Sequence, residues 1–477
     1  MHAYRIWVKR FLVSNFLIGF FAGSSVLVAT AEPLTTESLI SLMEKSSAGE
    51  SVVEGGVHPG EQMFHSACTQ CHDAERSTSK RKSNEAWLAT VRRMSDKSGA
   101  NIPESQIEPI AIYLASLNPV EEQAGLAASI TQTAAESSVS LHAEVSLLWR
   151  SGEAIQQNNG FFPDVWFGAD WNPDGSPFSA QITACTSCHE AGGGGVTLEL
   201  VEASFTADLV HLLAGEDSSI SDMGFKADAK AGRFIVPFGA FSESVHPGSY
   251  RMITAPLMFN MGRRVGPEEF MTPVLPMPYA DEGIDFHIAS PMLPASFVVA
   301  ADVYAVNGLQ SDFYASRGYS DNNDNTALGG RITLGNPWVR IGTSYNSGEM
   351  QYTGTPTQNY RIMGADATVR FRDWVRFYYE YAARKEDTLP SQESEVEGHV
   401  GEVEVKLWSR PRLALLVRYD TVDHSGLLGD AFTERYTWGP VATLHGGSMF
   451  MINHEHWEFD TPDGGEDVVG FRWVAVF

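Results

Sequence analysis

The sequence predicts a two-part α + β chain, a small helical domain followed by an antiparallel transmembrane β-barrel of about 16 strands. Three observations carry this reading. Apolar residues recur at helical spacing from residue 58 to residue 118, and after Ser140 the period changes to two. The period-two runs are about ten residues long, the length a tilted strand needs to cross a bilayer. Their connections alternate between tight turns and long polar loops.

The first element is a leader. Arg5, Lys9 and Arg10 precede an apolar run from Phe11 to Val28, which ends on Ala29-Thr30-Ala31 just before Glu32-Pro33. A basic start, an apolar stretch and a small-x-small site make residues 1–31 a secretory signal peptide. The length of the run leaves an uncleaved membrane anchor as the alternative. Residues 32–57 form a further amino-terminal segment. Removing the three leader cations takes the net charge from -26 to -29, which argues against nucleic acid or another polyanion as a partner.

The four cysteines fall as Cys68-Thr-Gln-Cys71-His72 and Cys185-Thr-Ser-Cys188-His189, with none left over. Both are C-x-x-C-H, the attachment pattern for c-type haem. Two thiols add to the two vinyl groups of one porphyrin, and the next residue supplies imidazole to the iron. The expected cofactors are therefore two covalently bound haem c, with His72 and His189 as iron ligands. The alternative is a pair of CxxC redox or zinc sites, each followed by His through chance, twice in one exported chain.

The first motif ends a short helix in HPGEQMFHSACTQCH. Beyond it Trp87, Val91 and Met94 recur at helical spacing, and a helix from Glu104 carries Ile107, Ile110, Ala111 and Leu114 on one side. Gly99 and Pro103 punctuate the gap. A helix before the motif and an I-x-x-Y-L helix at the end follow the plan of a small all-α class I cytochrome c domain, here over residues 58–118. The stretch resembles the monohaem cytochrome c subunit of sulfite dehydrogenases, through C-x-x-C-H, W-x-x-x-V-x-x-M, G-A and the Y-L helix. That resemblance implies Met94 as the sixth ligand of the first iron; the structural alternative is a core methionine, and Met63, His58 and His65 are further candidates. Residues 119–138, rich in Ala, Ser, Glu, Gln and Thr, read as a flexible linker.

Residues 139–477 then alternate. Ala143, Val145, Leu147 and Trp149 oppose His142, Glu144 and Ser146; Val375, Phe377, Tyr379 and Tyr381 oppose Arg376 and Glu380. Val403, Val405 and Leu407 oppose Glu402, Glu404 and Lys406, while Leu413, Leu415, Val417 and Tyr419 oppose Arg412, Arg418 and Asp420. A soluble β-sandwich also alternates, but the run length, the turn pattern and a terminal strand closing on Phe471, Trp473 and Phe477 favour a barrel with lipid outside and water inside. Strands are expected near 139–149, 161–171, 177–185, 195–207, 222–235, 283–291, 296–306, 326–334, 337–346, 360–371, 373–384, 397–409, 412–422, 432–444, 447–458 and 466–477.

GRFIVPFGAFSESVHPG (232–248), A-P-L at 255–257, YAVNGL (304–309) and ALGGRI (327–332) resemble phosphate-selective-type porins, which implies the fold more than a substrate, since inward positions mix Arg with Glu and Asp. The whole resembles the fused cytochrome c–porin outer-membrane proteins of iron-oxidising bacteria, with a larger cytochrome domain and a second motif, at 185–189, between strands. Even strand number sends long loops outward and short turns to the periplasm. The first domain is then periplasmic or in the lumen, and the second haem lies at the outer rim or inside it. For its sixth ligand His246 is the choice, in the loop 237–282 beside Met252, Met258, Met261, Met271 and Met277; the alternative is an ordinary loop histidine. His454 and His456 share a strand face without an assigned role. The resemblance implies electron passage across the outer membrane between periplasmic c-type cytochromes and an extracellular redox partner such as iron, with outer-membrane lipid around the barrel. The alternatives are a solute porin with a haem-containing regulatory or docking domain, and a membrane-anchored dihaem peroxidase.

Overall fold

The computed structural model describes residues 59–68, 77–78, 82, 84–95 and 102–117, and residues 138–477 apart from 153–159, 174, 187–197, 215–223, 260–264, 267–270, 310–324, 352–356, 373, 390–391, 410–411, 427–428, 445–447 and 461–464. The expected signal peptide (1–31), the segment 32–57 and all but the last residue of the expected linker lie outside the described residues.

The amino-terminal part contains α1 (Pro59–Ala67), α2 (Asn84–Ser95) and α3 (Glu104–Leu117). Their apolar stripes meet in one core of Phe64, Trp87, Val91, Ile107, Ile110 and Leu114, all buried. These are the positions that the helical spacing singled out, joined by Phe64. Helices α1 and α3 cross closely at Gly60, where a Cβ would come within 2.0 Å of the Pro109 carbonyl oxygen. One turn further along, the Phe64 and Tyr113 rings lie 5.7 Å apart.

The rest is one closed antiparallel barrel. Its first strands are β1 (Val139–Ser151), β2 (Gly160–Trp171), β3 (Phe178–Thr186), β4 (Leu198–Asp208), β5 (Lys226–Ile235), β6 (Ala280–Ala289), β7 (Val298–Val306) and β8 (Ala327–Gly335). The second half is β9 (Val339–Met350), β10 (Gln358–Phe371), β11 (Val375–Leu389), β12 (Gln392–Ser409), β13 (Arg412–Ser425), β14 (Ala431–Thr443), β15 (Met449–Phe459) and β16 (Gly465–Val476). A short helix, α4 (Leu209–Ala214), follows β4. Each strand pairs with its sequence neighbour, and β16 closes on β1 through pairs such as Trp149 with Phe471. Closure gives every strand two neighbours.

The period of two sorts side chains as expected. Leu141, Phe377, Val417, Leu407 and Trp473 point outward and are exposed, whereas Glu144, Glu380, Glu402, Arg418 and Asp420 point inward and are buried. Trp171, Trp338, Trp374 and Trp408 gather at the short-turn end with exposed rings, as an aromatic belt at a membrane interface does. One boundary is corrected. The polar stretch after residue 384 was expected as a loop, but β11 and β12 stay paired out to Leu389 and Gln392. Outside the bilayer both faces of a ribbon meet water, so charged residues such as Lys385 and Glu395, 3.0 Å apart, suit it as well as apolar ones.

Candidate functional site

Cys68 directly follows α1 and packs, partly buried, against the helical core together with Met63 and Met94. The first thiol and the proposed sixth ligand thus border the same apolar interior. Cys71, His72 and His58 lie outside the described residues. His65 is on α1, its ring 5.3 Å from that of Phe64. Within this interior the Trp87 indole nitrogen is buried without a hydrogen-bond partner. A buried N–H with no acceptor costs free energy, and an acidic group on a bound ligand would complete it. Lys82 holds its ammonium 5.2 Å from the same ring.

The carboxyl end of α2 touches the short-turn end of the barrel. Arg93 donates to Ser140 Oγ at 2.9 Å and to Asp170 Oδ2 at 3.2 Å. His142 Nδ1 lies 3.3 Å from the same carboxylate oxygen. Lys226 Nζ donates to the Ser95 carbonyl, and Pro103 abuts Gly224. The contacts fall at the start of β1, the end of β2 and the start of β5, and Arg93 immediately precedes Met94.

Cys185 lies on the inward face of β3 with no solvent exposure, between Trp166 of β2 and Glu199 of β4. Trp166 is six residues from Gly160 and five from Trp171, the two ends of β2, so Cys185 sits half-way along the wall. The expectation put the site at the outer rim or inside it, and Cys185 lies inside, because among the described residues β3 runs only to Thr186 while β2 and β1 pair on to Arg150 and Gly160. Cys185 is disulfide-bonded, and Cys188 and His189 lie outside the described residues. A disulfide and a thioether are alternative fates of one sulfur, so haem attachment at this motif starts from the reduced thiol.

Among the described residues one connection occupies part of the lumen, where the alternation suggested water. The connection 236–279 crosses it, with Val236, Phe238, Leu257, Met258, Val274 and Leu275 all buried in one cluster with Cys185 and Trp166. A segment without a strand ladder must satisfy its amides and carbonyls elsewhere, and here the wall does so. Glu380 accepts from the Ala240 and Phe241 amides at 3.1 and 3.0 Å, Asp420 from Leu257 N at 2.7 Å and Asn453 from Ile253 N at 2.8 Å. Arg384 donates to the Val274 carbonyl at 2.7 Å, and Arg435 to that of Ala255 at 2.6 Å. The wall arginines also pair with wall carboxylates, Arg331 with Asp366 at 2.7 Å, Arg435 with Asp420 at 2.6 Å and Arg418 with Glu402 at 3.1 Å. None of these long-range pairs was visible in the sequence, where only the alternation of Arg with Glu and Asp hinted at them.

The loop candidates separate. His246 meets Trp166 edge-on with ring centroids 4.8 Å apart. Met258 lies against Gly398 of β12, Met252 clusters with residues of β13 to β16, and Met271 packs beside Gly266. Met277 belongs to the large lumen cluster, and Met261 lies outside the described residues. His454 and His456 share Asp467, at 3.2 and 2.9 Å. Toward the short turns a pocket is lined by Arg251, Arg340, Arg370, Arg376 and Arg418 with Glu243 and Glu402. Burial pushes the Glu243 carboxyl up, but the Arg340 guanidinium hydrogen-bonded to it at 2.6 Å outweighs this and holds it below the usual carboxylate range. Among the described residues no cluster of His, Cys, Asp and Glu is arranged to hold a bare metal ion.

No family model and no curated protein matches this chain. Among solved structures it is similar to the anion-selective porin from Comamonas acidovorans, with 12% identity, 71% of this chain and 99% of that one covered, and a TM-score of 0.48. It is likewise similar to OprB of Pseudomonas putida, with 11% identity, coverage of 74% and 97% and a TM-score of 0.45. OmpF of Salmonella typhi, in complex with daunomycin, gives 9% identity, coverage of 71% and 97% and a TM-score of 0.47. Such low identities speak to fold alone. The closed ring of sixteen strands, its lipid-facing belt and the loop within its lumen make this a porin-like outer-membrane barrel.

Proposed function

We propose that the chain is a dihaem c-type cytochrome–porin fusion that conducts electrons across the outer membrane, between periplasmic cytochromes and an extracellular donor or acceptor such as iron. The carrying observation is the height of Cys185. Arg93, next to Met94, docks on Asp170, which pairs with Gln181; Cys185 is four residues further along β3. At about 3.3 Å per residue that is roughly 13 Å along the strand, against a hydrocarbon slab of about 30 Å. Two redox sites so spaced divide the crossing into shorter steps, and tunnelling rates fall exponentially with distance.

The residues fit two haem groups. Cys68, Cys71, His72 and Met94 would hold the first, and Cys185, Cys188 and His189 the second, each supplying reversible one-electron chemistry to the iron. A helical domain of about 60 residues is marginal on its core alone and gains from a cofactor staple. The partnerless Trp87 N–H supports a ligand with an acidic group at the first site. The apolar lumen around Cys185 suits a porphyrin better than a hydrated solute path.

A second reading, a solute porin with a haem-containing docking domain, is favoured by the porin-like fold and by the arginine-lined pocket facing Glu243. Proteoliposomes loaded with a reducible dye, with an impermeant reductant outside, separate the two. Fast dye reduction that collapses in a Cys185→Ala, Cys188→Ala variant supports the conduit. No reduction in either protein, with ions leaking through both, overturns it in favour of the porin.

A further inference from the structure

We propose that the pocket at the short-turn end of the lumen binds a small polyvalent oxyanion, and that the bound anion locks the segment 240–251 to the barrel wall. The proposal goes beyond both readings above, since every residue it uses lies in the barrel and none in a haem motif.

The pocket lies between that segment and the inner faces of β9 to β13. Its mouth is set by the β8–β9 turn at Asn336–Val339 and by Arg370 and Arg376, which flank the β10–β11 turn. It encloses about 800 Å³ of space that no protein atom fills, room for a small hydrated solute. The chain as a whole is acidic, yet five of its 33 lysines and arginines line this one pocket, namely Arg251, Arg340, Arg370, Arg376 and Arg418.

An ordinary network of ion pairs would balance, and this one does not. Glu402 is shared by Arg376 at 2.6 Å and Arg418 at 3.1 Å. Glu404 is shared by Arg251, by Arg376 at 3.4 Å and by Arg412 at 2.6 Å. Glu243 accepts from Arg340 at 2.6 Å, and Glu380 is turned onto the Ala240 and Phe241 amides. Four carboxylates thus face six guanidiniums, an excess of two positive charges where water screens poorly. Arg370 and Arg376 are also direct partners across β10 and β11, a like-charge contact that destabilises a sheet unless an anion sits between them. Planar guanidinium forks match the paired oxygens of phosphate and carboxylate groups.

The lock follows from where the charges are carried. Arg251 belongs to the segment in the lumen and the other four lining arginines to the wall, so an oxyanion among them ties the two together. It adds to the two ion pairs that already hold the segment, Glu243 to Arg340 and Arg251 to Glu404.

Pyrophosphate added to the folded full chain provides the test, by calorimetry for the site and by planar-bilayer recording for the lock. The unmodified protein should bind it saturably, and openings should become rarer when it is added to one side of the bilayer only. Arg370→Gln with Arg376→Gln removes two guanidinium forks, and Thr368→Glu places a negative charge in the pocket without breaking an ion pair. Each change should weaken binding about tenfold or more. Heat-dependent gel mobility checks that both variants form barrels. No saturable binding to the unmodified protein, or binding of equal strength in all three, would overturn the site. Binding without effect on openings, or equal block from both sides as a permeation route gives, would overturn the lock.

Discussion

Glu380 is the side chain whose loss should do most to free the lumen. Its Oε2 accepts the Ala240 and Phe241 amides at 3.1 and 3.0 Å, and the Tyr378 hydroxyl also donates to it. In Glu380→Ala both amides lose their acceptor, and a buried unsatisfied group costs about 1–3 kcal/mol. Two of them cost about 2–6 kcal/mol, and taking about 3 kcal/mol the population of displaced loop conformers rises roughly a hundredfold. Glu380→Gln retains an acceptor oxygen and should lose much less. Single-channel recording in planar bilayers measures this directly. The unmodified protein and Glu380→Gln should be mostly closed, and Glu380→Ala should show frequent large openings. A steady large conductance in all three would refute the view that the connection 236–279 blocks the lumen.

Three further outcomes follow from named contacts. Gly60→Val forces a Cβ to within 2.0 Å of the Pro109 carbonyl, so α1 and α3 must separate; overpacking of this kind costs about 1–3 kcal/mol, read as a lower melting temperature of the helical circular-dichroism signal with the barrel unaffected. Arg93→Glu sets two carboxylates against each other at Asp170; the docked fraction should fall about tenfold, and on the dihaem reading proposed above transfer across sealed vesicles would fall with it. Glu243, held below its ordinary range by Arg340, contributes stability that is full above the unfolded value and lost as pH falls through the folded one; channel openings should therefore increase only once the pH falls below the ordinary carboxylate range.

Much of the architecture was legible in local pattern, for a physical reason. Lipid on one side and protein on the other impose a strict period of two, and Leu415 and Val417 against Arg418 and Asp420 state it without any knowledge of neighbours. The helical core was legible in the same way from Trp87, Val91, Ile107, Ile110 and Leu114. What faces the inner wall was not, because it depends on partners hundreds of residues apart. Asn453 capping the Ile253 amide and Glu144 capping that of Gly248 join positions that no periodicity relates. The height of Cys185 was hidden for a similar reason. It depends on β3 ending early relative to β2, a difference of register rather than of composition.

The complete burial of Cys185 also bears on how such a protein is made. No enzyme can reach that sulfur once the ring has closed, because strands flank it on both sides and the lumen loop covers it from within. A porphyrin joined there must be joined while the chain is still unfolded, before insertion into the membrane. On the dihaem reading proposed above, the order of biogenesis would be export, reduction of the thiols, haem ligation and only afterwards barrel closure around a finished cargo. A chain that inserted first would carry an empty second motif permanently, and quality control at the insertion step would be the last point at which the error could be caught.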